Sequence, residues 1–590
     1  MISEAGLPSK SSGVFALFAR RDFQVAALLL VAFLVYANAL VNSFTMDDEL
    51  YIFRNPHVTN LAPREWFLPN DTSHVFRPVT FATLSLNYAL SKGSAFGYHL
   101  FNLPMHAAAT LLLFLVCSKI LEAQEGGTTI AFVAALLFAV HPIHTEAVAS
   151  IIGRSELLAA AFVFAGGLQH LQDRPWLALA SFLLALLSKE SAIAFLPLAI
   201  AGDYARGKFK PLWRYAALFV LAACYLAVLW KVQGGRFGPA EISLLDNPLA
   251  GLPPALRIMN AVRIAWKYLA LMAWPATLSC DYSFEQITVY GDWRHAVLPV
   301  IGALAVAAGW LWSIAARKRV LILAGALYFA GFAATSNILT RTGTIMGERL
   351  AYLPSAGFCL LLAAVWVWCA GKNARLAGAV LALAVVALAA RSALRNRDWR
   401  DNYTLFSAAV QSAPKSAKTH ANLAYAYLAR NELSSARAEL QTALRIYPEY
   451  PDTIETLGVV EARSGNQEEA LRLFRQALAM SDRTNINYDY MTVNLAAALL
   501  DRGQEAEAET LLDKEIAEAP GYSRAWSNRA VLRFKRREFS LALQDAQAAL
   551  GADPNNAQAK SVLNKLQQTA AFPEPHEGGL PNDLHPPAER

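Results

Sequence analysis

Charged residues are scarce in this chain of 590 residues. They make up 17% of it, against about 25% in ordinary soluble proteins, while hydrophobic residues reach 55%. This balance excludes a single water-soluble globule. It also excludes intrinsic disorder, which requires low hydrophobicity.

Cysteines are few, and phosphate-binding loops are absent. Four of the five cysteines (Cys117, Cys224, Cys359, Cys369) lie within apolar runs, and no CxxC, zinc-ligand or haem spacing occurs. No glycine-rich phosphate loop is present, and the basic residues form short scattered clusters instead of one basic face. A disulfide scaffold, a zinc module and a nucleic-acid partner are therefore not expected.

The shortage of charge is confined to the first two thirds of the chain. Residues 1–400 carry 32 Lys and Arg and 21 Asp and Glu, a net charge of +11. Residues 401–590 carry 20 and 25, a net charge of −5, at a density of 24% that is normal for a soluble domain. The pattern predicts a membrane part followed by a soluble part.

Long apolar runs fill the membrane part. A hydrocarbon core about 30 Å thick needs roughly 17–25 apolar residues in a helix, and residues 23–41 meet this need. A cleaved signal peptide is not expected, because this run is long and others follow. About eleven spans are predicted, and the fold class is all-α. The spans lie near residues 23–41, 98–119, 129–149, 154–171, 175–188, 190–204, 213–231, 296–315, 320–337, 349–370 and 374–391.

Lys and Arg clusters indicate the orientation of the spans, because cytoplasmic loops are enriched in both residues. With the N-terminus inside and eleven crossings, the clusters at residues 10–21, 206–214, 317–319 and 372–375 fall on the cytoplasmic side. Residues 253–278 must then form an amphipathic interfacial helix that does not cross. Four arginines between residues 391 and 400 lie outside in this topology, and an even number of spans would reverse that end.

The C-terminal part repeats with a period of 34 residues. Ala436 and Ala470 are 34 apart, whereas the step from Ala470 to Ala508 is 38, so one loop carries four extra residues. Small residues at helix crossings and prolines at repeat ends are typical of tetratricopeptide repeats, and four are predicted. Such solenoids bind extended peptides in a concave face. The predicted domains are residues 1–400 (membrane), 401–571 (repeats) and 572–590 (a disordered tail).

Two adjacent carboxylates, Asp47 and Asp48, follow the first span at the predicted outer interface. Adjacent residues on a helix do not face the same way, so only one of the two can readily point into a cleft. The alternative is a helix stop with two solvated carboxylates. From spacing alone this alternative is favoured, although ionisable residues among membrane spans are costly and usually mark function.

The other candidate residues gather at the same predicted face. His141, His144 and Glu146 form the sequence HPIHTE; they could contact a phosphate or a metal, or the histidines could cap a helix end at Pro142. Lys189 and Glu190 divide two apolar runs, and could also be a neutral pair in a turn. The remaining candidates for substrate or phosphate binding are Arg77, Arg154, Glu348 and Arg349.

Six stretches carry a family resemblance. They are FRPVTFATLSLNYAL, GYHLFNLPMHA, HPIHTEAVASIIGRSELLAA, LLSKESAI, LSCDYSF and SNILTRTGTIMGERLAYLPSAGFCLL. The chain resembles the transmembrane and tetratricopeptide-repeat containing proteins, a family of O-mannosyltransferases of the GT-C type. The resemblance covers about residues 47–359, and the repeats stand in the expected place. The segment between Asn337 and Glu348 matches only loosely, and family arrays often have more than four repeats.

The resemblance implies a polyprenyl-phosphate-linked sugar donor, dolichyl in eukaryotes, and Ser or Thr hydroxyls of proteins as acceptors. It matches the family's diacidic motif to Asp47 and Asp48, one of which we expect to be the general base of an inverting single displacement. The phosphate would be held by cations among the candidates above. A divalent cation could take part, but nothing in the sequence demands one.

We therefore expect a multi-pass membrane glycosyltransferase whose repeats hold a protein acceptor. The Ala-, Leu- and Arg-rich composition suggests a bacterial inner membrane with the site and repeats in the periplasm, or the lumenal face of the endoplasmic reticulum in a eukaryote. Two alternatives are a lipid-linked-glycan transporter and a non-catalytic membrane-anchored scaffold. A transporter predicts matching broken helices in two halves, which are not evident, and a scaffold does not need acids and bases gathered on one face.

Overall fold

The computed structural model describes residues 20–53, 55–68, 75–238 and 242–568. These residues form two compact units, one up to Ala426 and one from Tyr427 onward. Within the described ranges all regular structure is helical and no strand occurs, which confirms the all-α prediction. The predicted tail, residues 572–590, lies outside the described residues.

Every predicted apolar run forms helix in the first unit. The α-helices that begin in it are α1 (Arg21–Tyr36), α2 (Asp48–Ile52), α3 (Pro56–Thr59), α4 (Pro78–Ser91), α5 (Ala95–Ile120), α6 (Gly127–Val140), α7 (Thr145–Ala149), α8 (Arg154–Leu171), α9 (Pro175–Leu186), α10 (Phe195–Arg206), α11 (Leu212–Val232), α12 (Pro254–Ala273), α13 (Val297–Ala315), α14 (Arg319–Ala333), α15 (Tyr352–Ala370), α16 (Ala374–Asp398), α17 (Asn402–Ser412) and α18 (Ala417–Ala429).

Six helical segments in the described ranges are long and apolar enough to cross a membrane, or seven if a pair bent by 53° is one span. The bent pair is Gly127–Val140 with Pro142–Ala149, and the break falls at Pro142, which has no N–H to continue helix α6. Helices α9 and α14 are apolar but shorter. The chain is therefore a membrane protein, but the predicted count of eleven spans is not confirmed.

The first span, α1 and the 3-10 turn Ala37–Val41 that extends it, meets the C-terminal part of α16 and runs in the same direction. The Asn38 amide donates to the carbonyl of Ala393 at 2.7 Å, and the Asn42 amide donates to that of Asn396 at 3.0 Å. Just beyond, the N–H of Ser43 donates to the carbonyl of Arg400 at 2.8 Å. Residue numbers rise together along both helices, so the segment before Asp47 and the segment after Asp398 leave the bundle at the same end.

One glycine sets a close helix crossing. A Cβ at Gly357 of α15 would lie 2.3 Å from the carbonyl oxygen of Ala324 in α14, which is closer than real Cβ contacts. Small residues let membrane helices approach at the backbone, where packing and not the hydrophobic effect holds them together. The contact fixes α15, whose N-terminal turn carries Glu348 and Arg349.

Helical hairpins make up the repeats, as the 34-residue period predicts. Helix α18 begins the first pair, and α19 (Leu433–Ile446) completes it. The following pairs are α20 (Pro451–Arg463) with α21 (Gln467–Ala479), α22 (Tyr488–Asp501) with α23 (Glu505–Glu518), and α24 (Ser523–Lys535) with α25 (Phe539–Ala552). Helix α26 (Ala557–Gln568) comes last. Residues 480–487 separate α21 from α22, whereas four residues, 519–522, separate α23 from α24. The loop with four extra residues is therefore the one before α22.

Candidate active site

Helix α2 begins at Asp48, directly after the first span. The Asp48 carboxylate is fully buried and accepts the N–H groups of Thr45 at 2.9 Å and Ile152 at 3.2 Å. Burial raises the pKa of Asp48 to about 7, and the charge of Asp47 adds to the rise, while the two N–H groups oppose it. Asp48 therefore fastens α2 to the turn before α8.

Asp47 is exposed and precedes this helix. Its carboxylate makes no hydrogen bond or ion pair with the described part of the chain. Its charge interacts with those of Asp48, Arg349 and Lys418. Of the two adjacent acids, one is thus built into the fold and the other is exposed.

Arg349 is held by Glu146, and its charge interacts with that of Asp47. Its Nη1 donates to one oxygen of the Glu146 carboxylate at 2.8 Å, and its backbone N–H donates to the other at 2.9 Å. Glu146 follows the break at Pro142, which turns α7 away from the axis of α6 and presents this carboxylate to the 3-10 turn Glu348–Ala351. The Arg349 side chain keeps 29% of its surface exposed, so part of its guanidinium stays available.

Two further ion pairs complete the cluster. Arg77 binds Glu190 with a two-pronged contact, Nε to Oε2 at 3.1 Å and Nη2 to Oε1 at 2.7 Å. Lys189 pairs with Glu156 on α8, and both side chains are almost fully buried. The charge of Glu156 interacts with those of Arg349, Arg77 and Lys189, so the three pairs are electrostatically linked.

The structure therefore gathers six of the predicted residues at one end of the bundle, together with Glu156, which was not predicted. We call this set the charged cluster, and it consists of Asp47, Arg77, Glu146, Glu156, Lys189, Glu190 and Arg349, with the buried Asp48 behind it. Each of its three cations already has a carboxylate partner. An added anion would bind by sharing or displacing those partners.

Arg154 is engaged by the protein itself. Its guanidinium is fully buried and donates to the Asn102 side chain at 3.0 Å and to the carbonyls of Thr83 and Tyr98 at 3.0 and 3.2 Å. The ring of Phe101 covers it at 4.2 Å. These contacts tie α8 to α4 and α5, so the geometry gives Arg154 a positioning task.

The two histidines and Glu348 also bind protein groups, although His144 Nδ1 and Glu348 Oε2 are buried without a hydrogen-bond partner. His141 Nδ1 accepts the N–H of Ile143 at 3.2 Å and its Nε2 donates to the carbonyl of Met272 at 2.9 Å, the helix-capping arrangement. His144 Nε2 hydrogen-bonds Ser355 at 2.7 Å. Glu348 Oε1 accepts from the Ser279 N–H and from the Tyr282 hydroxyl, both at 2.6 Å. Among the described residues no group of three or more His, Cys, Asp or Glu is arranged to hold a metal.

Sequence reasoning missed Lys418, which lies in the first repeat. Its Nζ is 2.5 Å from Asp246, and Ser416 nearby donates to Asp281 at 2.5 Å. Burial lowers the pKa of Lys418, but the attraction of Asp246 and Asp281 outweighs it and leaves that pKa above its ordinary value. No sequence signal joins residues so far apart. Glu156, by contrast, lies two residues after Arg154 in the stretch HPIHTEAVASIIGRSELLAA, so the sequence does carry a signal for it.

These observations define an all-helical membrane protein with a charged cluster at one end of its bundle, followed in the chain by tetratricopeptide repeats. Two family models described as tetratricopeptide repeat match residues 393–453 and 452–485. Among curated proteins, the chain is 32% identical over 443 residues to the protein O-mannosyl-transferase F38B6.6 of Caenorhabditis elegans, covering 72% of this chain and 62% of the relative.

It is also 27% identical to mouse and 28% to human protein O-mannosyl-transferase TMTC3, over 90% and 88% of this chain and 64% and 63% of the relatives. The chain is thus a homologue of the TMTC protein O-mannosyl-transferases, which confirms the resemblance. It spans less than two thirds of the length of these relatives. Among solved structures, the tetratricopeptide-repeat protein YrrB matches at 17% identity with a TM-score of 0.24, covering 34% of this chain and 97% of that one.

Proposed function

We propose that this chain is an integral-membrane glycosyltransferase that moves a hexose, mannose by analogy with the names of its relatives, from a polyprenyl-phosphate donor to Ser or Thr hydroxyls of proteins. The observation that carries the proposal is the exposed carboxylate of Asp47, whose charge interacts with the guanidinium of Arg349 that Glu146 holds. A base and an anion-binding cation in one site are what a transfer from a phosphate to a hydroxyl requires.

Asp47 is the proposed general base. The acceptor oxygen attacks the anomeric carbon and forms the new C–O bond, while the bond from that carbon to the phosphate oxygen breaks and its electron pair leaves with the polyprenyl phosphate. The hydroxyl proton passes to Asp47, a step that contributes about 10²–10⁴-fold to rate. One displacement inverts the anomeric centre. Asp48 holds the base in place and takes no proton from the acceptor.

Arg349, Arg77 and Lys189 are the proposed phosphate ligands. All three lie in the charged cluster, and each shares its charge with a carboxylate of Glu146, Glu190 or Glu156. Partial neutralisation keeps the empty site stable, and the negative charge that grows on the leaving phosphate draws the cations toward it. Arg154, His141, His144 and Glu348 keep the helices that carry these groups in register.

The parallel course of α1 and α16 supports placing the repeats on the side of Asp47. Two spans that run in the same direction require an odd number of crossings from the first to the last. Both seven and eleven satisfy this condition. We place the site on the outer face, the periplasmic side of a bacterial membrane or the lumenal side of the endoplasmic reticulum, where the repeats can present an acceptor segment.

The test is mass spectrometry of Ser- and Thr-linked hexose on exported proteins from cells that carry the wild-type chain or Asp47→Asn. We expect the variant to lose transfer by about 10²-fold or more while still inserting in the membrane. Glu49→Gln, an exposed acid two residues away, is the control and should keep full activity. Full transfer by Asp47→Asn would show that Asp47 is not the general base. Unchanged glycosylation without the chain would favour a scaffold.

A further inference from the structure

The residue before the proposed base has an uncommon backbone conformation. Met46 has a φ of 52°, in the left-handed region, where a Cβ comes too close to the following carbonyl oxygen. For a residue other than glycine, this clash makes the left-handed form about 5- to 30-fold less populated than the right-handed form. Methionine keeps such a conformation only where the surrounding structure imposes it.

Two side chains impose the turn at Met46. The N–H of Thr45 donates to Asp48 Oδ2 at 2.9 Å, and the N–H of Met46 donates to Asn402 Oδ1 at 2.8 Å. Asp48 is a near neighbour in the chain, whereas Asn402 is 356 residues from Met46. The Asn402 contact is therefore the one that ties the turn to a distant part of the fold.

Asn402 is itself held in place by the start of its helix. It is the first residue of α17, and the preceding Asp401 caps that helix. Asp401 Oδ1 accepts the N–H of Thr404 at 2.8 Å, and Thr404 Oγ1 accepts the N–H of Asp401 at 3.1 Å, which is a reciprocal capping box. Asn402 also lies within residues 393–453, which match the tetratricopeptide-repeat model. The first helix of that segment thus contacts the turn that carries the base.

The direction of the Asp47 carboxylate depends on this turn. The Asp47 carbonyl accepts the N–H of Tyr51 at 3.0 Å as α2 begins. The carboxylate, by contrast, is exposed and has no hydrogen-bonding or ionic partner among the described residues. Since no side-chain contact orients it, the backbone at Met46 and Asp47 must do so.

We propose that Asn402 is a positioning residue for Asp47. Its side-chain oxygen holds the Met46 N–H and so keeps the left-handed turn that directs the Asp47 carboxylate toward the acceptor hydroxyl. This inference rests on the proposed function, in which Asp47 is the general base. A base that is turned away from the hydroxyl slows proton transfer without changing how the lipid donor binds.

The test is steady-state kinetics of the full chain in detergent, with undecaprenyl-phosphate-linked mannose as donor and a short threonine-containing peptide as acceptor. Asn402→Ala should lower kcat by about 5- to 30-fold, the bias against the left-handed form, and leave the KM for the donor unchanged. Glycine adopts the left-handed form readily, so Met46→Gly should make Asn402 dispensable. In that background Asn402→Ala should lower kcat by less than about threefold.

Asn38→Ala is the matched control. The Asn38 amide donates to the carbonyl of Ala393 at 2.7 Å, and its Oδ1 accepts from the Asn396 amide at 2.8 Å. It therefore ties the first span to α16 without contacting the turn before Asp47. Asn38→Ala should lower the melting temperature and leave kcat unchanged in the folded fraction.

The results separate this inference from the proposed function. Wild-type kcat in Asn402→Ala, together with an inactive Asp47→Asn, would overturn the positioning role and leave Asp47 as the base. Full transfer by Asp47→Asn would overturn both. A loss of kcat in Asn402→Ala that persists in the Met46→Gly background, or that Asn38→Ala reproduces, would show a general loss of packing and would also overturn the positioning role.

Discussion

Glu146 and Arg349, 203 residues apart in the chain, are joined by two hydrogen bonds. One carboxylate oxygen accepts from the guanidinium at 2.8 Å and the other accepts the backbone N–H at 2.9 Å. Glu146 is only 1% exposed, whereas Arg349 keeps 29% of its side chain open. The pair therefore fixes the arginine without using all of its donors, which is the arrangement that the proposed phosphate site requires.

The substitution Arg349→Lys tests whether Arg349 binds the donor phosphate. A point charge cannot reproduce a planar fork that binds Glu146 and a phosphate together, so we expect the KM for the lipid donor to rise by about tenfold or more. Steady-state kinetics with a short hydroxylated peptide as acceptor measure the change. An unaltered KM and kcat would move the phosphate site away from Arg349.

The substitution Arg154→Lys tests whether Arg154 positions helices and does not bind the donor. Arg154 makes three hydrogen bonds inside the bundle, and lysine cannot satisfy all three carbonyl-type acceptors. We expect a loss of roughly 2 kcal/mol in stability and an unchanged KM for the donor in the folded fraction. Thermal unfolding in detergent gives the first quantity and kinetics the second. A raised KM with normal stability would place Arg154 on the substrate.

Asp48→Asn should change the pH dependence of stability. The unfolded chain releases this proton near pH 3.8, whereas burial keeps it bound in the fold up to about pH 7. Between these values the folded state binds more protons, so the contribution of Asp48 to stability falls as pH rises. Asparagine mimics the protonated acid and does not titrate. The free energy of unfolding of wild type should therefore fall by up to about 4 kcal/mol relative to that of the variant between pH 4 and pH 7. Parallel pH profiles of the two melting temperatures would contradict this.

Hydropathy, residue spacing and family motifs were sufficient to predict the helices, the repeats and most of the charged cluster. They could not distinguish the candidate residues that stay exposed from those whose hydrogen bonds are used by the fold. Arg154 and Arg349 are both arginines near apolar runs, and only packing shows that one is consumed by carbonyls while the other is open. The pairing of Lys418 with Asp246 depends on a contact across 172 residues, which no local pattern encodes.

The number of spans was beyond the sequence for a different reason. Helices α9 and α14 are apolar but only 12 and 15 residues long, so composition predicts a span where length does not. The contacts of Asn38 and Asn42 with α16 supply what hydropathy lacks, the relative direction of the first and last long helices. Direction constrains the parity of the count without giving the count itself.

A cysteine at position 468 tests that parity. Glu468 is 87% exposed in the repeats. In a background that lacks the exposed Cys224 and Cys369, Glu468→Cys should react with a membrane-impermeant thiol reagent in intact cells or spheroplasts. Lys318→Cys, exposed in the loop before α14, should react only after permeabilisation. Reaction of both cysteines only after permeabilisation would place the repeats in the cytoplasm with Lys318 and make the number of spans even.

Truncation of the repeats tests their role in holding the acceptor. The first compact unit extends to Ala426, and within it Ser416 and Lys418 bind the loops that carry Asp281 and Asp246. Deleting residues 430–568 leaves α18 whole, so we expect donor use and transfer to short peptides to remain. Transfer to whole proteins should fall steeply, because a tethered solenoid supplies an effective acceptor concentration up to about the mM range.

A longer deletion from Pro414 also removes Ser416 and Lys418 and should impair transfer to peptides as well. Equal transfer of whole proteins by the shorter truncation and by wild type, with both chains inserted and folded, would show that the repeats do not dock the acceptor.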